Sequence, residues 1–142
     1  MTVTHDTKLE LLRRVALFAD VAPDHLARIA EQMVEIDYAP GAQIAREGEI
    51  GTGFFVVLDG SVEVIRSGRA IARLGPGDFV GELSVLDGRP RVAQVVAATA
   101  TRCLALASWD LEAILLAEPA LTLALLRGVA ERLRAVTEDS RQ

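Results

Sequence analysis

From Ile36 onward, turn-forming residues recur between apolar segments too short to be helices. Pro40-Gly41, Gly51, Gly53, Asp59-Gly60, Ser67-Gly68, Gly75-Pro76-Gly77 and Asp87-Gly88 punctuate this part of the chain. Glycine admits left-handed backbone, proline presets φ, and aspartate bonds its own turn, so each cluster reads as a reversal. Between them lie strand-length runs at Phe54–Leu58, Ser61–Ile65, Ala70–Leu74, Val92–Ala98 and Thr101–Ala107. Asp59-Gly60 predicts a two-residue hairpin, and Ser67-Gly68 predicts the next reversal. Strands at this spacing, framed by helices at both ends, predict a mainly β fold, a jelly-roll-like β-roll with helices packed outside.

The helical frame is read from periodicity. Lys8–Asp20 and Pro23–Met33 read as two helices; Pro23 suits a first helical position, and Leu26, Ile29, Ala30 and Met33 repeat at helical spacing. Ser108 is expected to cap a helix running to Ala117, with Asp110 and Glu112 near its positive end. Glu118-Pro119 breaks that helix, and a last one runs from Ala120 to Glu138. One domain over 1–142 results: helical at 8–33, β-roll at 36–107, and two C-terminal helices at 108–138. No internal repeat or low-complexity tract interrupts it, and no helix-turn-helix follows the roll.

Composition narrows the function classes. Apolar residues make up 51% of 142, but aromatics only 4%, so the core must be aliphatic. The net charge of −5, with no basic cluster, argues against direct nucleic-acid binding or an anionic membrane surface. No apolar stretch reaches the length of a membrane span, and the first residues lack a cleavable signal. The single cysteine, Cys103, sits in an apolar run and fits inert core in a reducing cytoplasm.

Chemistry concentrates in Gly77-Asp78-Phe79-Val80-Gly81-Glu82-Leu83-Ser84 and in Pro90-Arg91-Val92-Ala93. Two glycines let the backbone turn and approach a ligand, and successive N–H groups near Leu83 and Ser84 are suited to an anion-binding concavity. Arg91 offers a planar fork for two phosphate oxygens, and Glu82 an acceptor pair for a sugar hydroxyl. Such a set suits a ribose beside a phosphate. A surface ion pair between Glu82 and Arg91 is the plainer alternative.

The segment resembles the phosphate-binding cassette of the cyclic-nucleotide-binding domain family. That family includes bacterial catabolite activator proteins, cAMP-dependent kinase regulatory subunits and nucleotide-gated channels. The resemblance extends to Pro40-Gly41, Glu47-Gly48-Glu49 and Phe54–Val64, and Glu82 and Arg91 stand nine residues apart, as in the kinase subunits. It implies that Glu82 bonds the ribose 2′-hydroxyl and Arg91 pairs with the cyclic phosphate. Gly81, Leu83, Ser84 and Ala93 would line the phosphate and sugar, Val64, Ile71, Leu74 and Val80 would wall the base, and Thr137 would lie near the adenine amino group. The chain departs from the family pattern at Val80, where an aromatic is common, and at Val92, where Ala, Ser or Thr is usual. A valine there removes a hydroxyl from the phosphate or a guanine, which favours cAMP over cGMP.

The resemblance implies a cAMP sensor whose C-terminal helices move, free-standing or part of a longer protein, with an unknown effector. A ligand-free interaction module on the same fold is the rival. No catalytic triad or Cys/His pair offers itself, so an enzyme is not expected and no cofactor is implied. His5 and His25 both precede the roll, which argues against the metal site of a cupin. Glu47, Asp59 and Asp78 read as turn residues, and Trp109 as packing at a helix start rather than a base stack. Thr122, Leu126, Val129, Leu133 and Val136 follow a 4-3-4-3 spacing that suits a homodimer seam or a stripe packing on the protein's own roll.

Overall fold

The computed structural model describes residues 5–49, 53–81 and 87–139. Helix α1 spans His5–Arg13, a 3-10 turn covers Ala16–Phe18, and α2 spans Pro23–Gln32. The single helix expected over Lys8–Asp20 is therefore broken. Leu12, Val15, Leu17, Phe18 and Val21 are all buried, and no single helical stripe can hold all five. Tight bonds from Val15 N to Leu12 O, Phe18 N to Val15 O and Val21 N to Phe18 O wind the chain so that Leu17 also turns inward.

Eight strands follow among the described residues: β1 Val34–Tyr38, β2 Gln43–Ala45, β3 Gly53–Asp59, β4 Val62–Arg66, β5 Arg69–Leu74, β6 Phe79–Val80, β7 Gln94–Ala97 and β8 Thr101–Ala107. They form two antiparallel four-stranded sheets, ordered β1-β8-β3-β6 and β2-β7-β4-β5. The predicted mainly β roll with flanking helices is the observed fold. Helix α3 spans Ser108–Ala117, and α4 spans Pro119–Asp139. Ser108 is the first helical residue rather than a cap: β8 runs through Ala107, and no side chain caps the helix.

The Ser67-Gly68 reversal joins β4 to β5 through paired Arg66 and Arg69. Asp59-Gly60 does not make a hairpin. β3 pairs with β8 and β6, whereas β4 pairs with β5 and β7, so the dipeptide carries the chain from one sheet to the other. Gly60 adopts φ +87°, and a Cβ there would lie 2.3 Å from the Ala100 carbonyl. The corner is held from the far side: Ser61 O accepts from Ala98 N at 2.9 Å and from Thr101 Oγ1 at 3.0 Å.

The first sheet is covered on both faces. Phe54 and Val56 of β3, Leu104 and Leu106 of β8, and Phe79 of β6 pack with the helices. Phe55, Val57, Cys103 and Val80 turn the other way, into the roll interior with Ala45, Val62 and Val95. Period-two alternation thus feeds two cores from one sheet, which is why β3 is apolar along most of its length.

Cys103 lies in the interior core, where burial pushes its thiol up to about 11. Thiolate is the reactive form, so a disulfide reagent at pH 8 is expected to leave the native thiol unmodified and to titrate it fully in urea. A fast native reaction would show that the interior core is open. The raised value also sets a sign: above about pH 9 the unfolded thiol ionises first, and stability falls as pH climbs toward the folded value.

Candidate functional site

β6 is short, and its two residues serve different cores: Phe79 the helix side, Val80 the roll interior. The chain then enters Gly81 at φ +95°, where a Cβ would sit 2.4 Å from Gly53 O and 3.1 Å from Arg91 Nη1. Only glycine fits, because any side chain would meet backbone on one side and a guanidinium on the other. Arg91 Nη2 donates to Gly53 O at 2.9 Å, so one carbonyl touches both the glycine turn and the arginine.

The arginine's own backbone is fixed from both directions. Arg91 N donates to Glu49 O at 2.7 Å, and Gly48 N donates to Arg91 O at 2.8 Å. The 46–49 loop is anchored in turn by Glu47, whose Oε1 accepts from Ser67 N at 2.9 Å. Asp59 and Asp78 bond the turn amides of Gly60 and Gly75, matching their reading as turn residues.

Gly81 and Arg91 are therefore together, with Val80 and Ala93 buried close by in sequence. Leu74 packs against the interior core, and Val64, two residues after buried Val62, shares its face. Ile71 is 56% exposed as the extra residue of a bulge in the β4–β5 ladder. Val92 is likewise 56% exposed, in the bend that precedes β7, whereas its neighbour Ala93 is buried. Glu82, Leu83 and Ser84 lie outside the described residues.

Thr137 is not joined to the wall residues. Its Oγ1 donates to Leu133 O at 2.9 Å, within its own helix. The described lining of the adjacent hollow, about 420 Å³, is Ala130, Leu133, Arg134, Thr137 and Glu138, all on α4. Trp109 is 66% exposed at the start of α3, so of packing and a cover beside the helix start, the two roles read for it, core packing is not met.

Sequence reasoning missed the main-chain groups of Gly48, Glu49 and Gly53 as supports of Arg91; the Glu47-Gly48-Glu49 run and Gly53 had been noted only as pattern. On α4 the apolar surface read at Leu121, Leu123 and Leu125 beside the 4-3-4-3 seam divides between core and solvent. Leu121 and Leu125 join the helix-side core and Gly128 and Arg132 meet Phe79, whereas Leu126 and Leu133, one position on, are 57% and 66% exposed.

The family model described as the cyclic nucleotide-binding domain matches residues 35–118, more than half of the chain. The chain belongs to that family. This cyclic nucleotide-binding domain is 31% identical over 135 residues to a CRP-like cAMP-activated global transcriptional regulator of Mycobacterium tuberculosis, covering 92% of the chain and 60% of the relative. It is 36% identical over 110 residues to a cyclic nucleotide-gated potassium channel of Mesorhizobium japonicum, covering 78% of the chain and 30% of the channel. The Thermus thermophilus catabolite activator protein superposes with a TM-score of 0.80 at 31% identity, over 89% of this chain and 62% of that one. The domain thus spans only part of these relatives. Its family is regulatory rather than catalytic in general character. Among the described residues no single helix is long and apolar enough to cross a membrane.

The close approach at Gly81 makes a direct prediction. Gly81→Ala should cost about 1–3 kcal/mol from backbone conformation alone, with the Gly53 clash adding to it. Gly41→Ala, at φ +85° with nothing within 4 Å, supplies the backbone strain without the clash. In urea denaturation Gly81→Ala should lower the midpoint further than Gly41→Ala; equal effects would mean that the contact with Gly53 does not constrain the turn.

Proposed function

We propose that this domain binds cAMP reversibly and passes the binding event to its C-terminal helices. The observation that carries the reading is the seating of Arg91, its backbone clamped by the 48–49 loop and its guanidinium laid between Gly53 O and the Gly81 turn. A planar guanidinium fixed beside a glycine turn is suited to two oxygens of a cyclic phosphate. Glu82 is proposed for the ribose 2′-hydroxyl, with Leu83, Ser84 and Ala93 around the phosphate. Val64, Ile71, Leu74 and Val80 are proposed as the base wall, and Thr137 as a contact once α4 closes. The mycobacterial relative, named as cAMP-activated, supports the choice of nucleotide.

Nucleotide at about 100 times its dissociation constant should add roughly 2.7 kcal/mol, a melting shift on the order of 5–10 °C. Arg91→Ala leaves the phosphate without its charged partner and should weaken cAMP by about 30- to several-thousand-fold while the fold persists. cGMP should bind more weakly than cAMP, since Val92 supplies no hydroxyl. Calorimetric titration checks all three. A folded, nucleotide-free chain that shows no heat with millimolar cAMP, or a fully competent Arg91→Ala variant, rejects the reading.

A second reading, compatible with the first, is self-association through α4. Leu121 and Leu125 face the protein's own core, and exposed Leu126 and Leu133 lie on a neighbouring stripe at the seven-residue repeat of a helix pair. Sedimentation velocity at micromolar concentration should show a dimer that Leu126→Glu with Leu133→Glu dissociates; a monomeric parent would exclude it.

A further inference from the structure

We propose that Arg132 is a positioning residue for the nucleotide site, acting through Phe79. The inference rests on the nucleotide reading above. Arg132 Nη2 donates to Phe79 O at 2.6 Å, and its Cζ lies 4.2 Å from the centroid of the Phe79 ring. One side chain of the last helix therefore holds both the carbonyl and the ring of the residue two before Gly81. The ring is fixed on its other sides as well. Its centroid is 5.7 Å from that of Phe54, and the Cβ position of Gly128, one turn before Arg132, is 3.1 Å from its Cζ.

The contacts continue from there to the proposed phosphate group. Phe79 and Val80 form the whole of β6, a strand that among the described residues pairs only with β3, and Gly81 follows at the Gly53 carbonyl that Arg91 also bonds. Arg132, Phe79, Gly81, Gly53 and Arg91 thus form a continuous path from α4 to the cassette. A two-residue strand has little ladder of its own, so a clamp on its outer carbonyl fixes how Gly81 meets Gly53 and where the Arg91 guanidinium lies. Coupling along this path is read from a double-variant cycle.

The experiment uses the full chain and three variants: Arg132→Met, which keeps the stem but removes the donors and charge, Arg132→Lys, which keeps a point charge, and Arg91→Ala. Calorimetry with cAMP should show Arg132→Met weakened about 5- to 30-fold, a range within ordinary coupling between sites. Arg132→Lys should recover part of the loss, because a lysine can donate to the carbonyl but cannot lie flat on the ring. Combined with Arg91→Ala, the Arg132→Met penalty should shrink to about twofold or less, as expected for neighbours on one path rather than independent sites. Without nucleotide, hydrogen exchange over Asp78–Gly81 should speed up in Arg132→Met while Thr101–Ala107 of β8 stays protected. A merely structural loss would loosen both segments.

Arg132→Met binding within twofold of the parent, an undiminished penalty in the Arg91→Ala background, or unchanged exchange over Asp78–Gly81 would each overturn the proposal. A parent chain that takes up no cAMP sinks the nucleotide reading itself, and the exchange measurement then still judges whether Arg132 clamps β6.

Discussion

The alternation of side chains along β3 and β8 is the constraint on which the rest of this fold depends. Phe54 and Val56 supply the helix-side core, while Phe55 and Val57 supply the roll interior, and β8 divides Leu104 and Leu106 from Cys103 in the same way. Burying a side chain of this kind stabilises by about 1.5–3 kcal/mol, and a one-residue slip would exchange the two sets. β6 is tied to the same sheet by only two pairs, Phe55 with Val80 and Val56 with Phe79. Its register is nevertheless set by both cores, so the glycine turn that follows leaves the sheet at a defined point.

That point lies beside a cation in a chain whose net charge is −5. At physiological ionic strength the Debye length is about 8 Å, so dispersed surface carboxylates act weakly on an anion held at contact distance by Arg91. For the anion proposed at Arg91, short-range donors would therefore matter more than the overall charge. A second arginine is likewise governed by partners at contact distance. Arg102 meets Asp37 at 2.8 Å and Glu35 at 3.0 Å across the β1–β8 ladder, and the Arg102 hydrogen bond holds the Asp37 carboxyl below its ordinary range. That cluster lies on the β1 edge, away from Gly81, with Asp37 exposed and the Glu35 side chain largely covered.

Features encoded within a few residues were legible from sequence, and those that depend on distant partners were not. Ser67-Gly68 was read correctly because the hairpin is closed by its own residues. Asp59-Gly60 carries an equally good turn signal, but the dipeptide cannot say which strand its neighbours will pair with, and Thr101 with Ala98 decides the matter from forty residues away. The helix over Lys8–Asp20 failed because burying Leu17 with Leu12 and Val15 outweighed helical continuity. That Gly81 and Arg91 meet was legible, since the cassette resemblance assigns both to one site and the structure brings them together. Arg132 was not: an arginine on an amphipathic helix is ordinary, and its partner Phe79 is 53 positions distant.

The anchoring of α4 limits which of its motions are accessible. Leu121 and Leu125 are almost wholly buried, and Gly128 and Arg132 meet Phe79, so the first four turns are fastened to the roll. Lifting them would re-expose two leucines at about 1.5–3 kcal/mol each. Beyond Arg132 the described side chains are exposed, and among the described residues Thr137 bonds its own helix, so displacing that end uncovers almost nothing of them. A ligand moves an equilibrium only by its differential affinity for the two states. A contact made with the distal turn alone can therefore be expressed as movement there with little loss, whereas a swing of the whole helix must first offset the leucines and release Phe79.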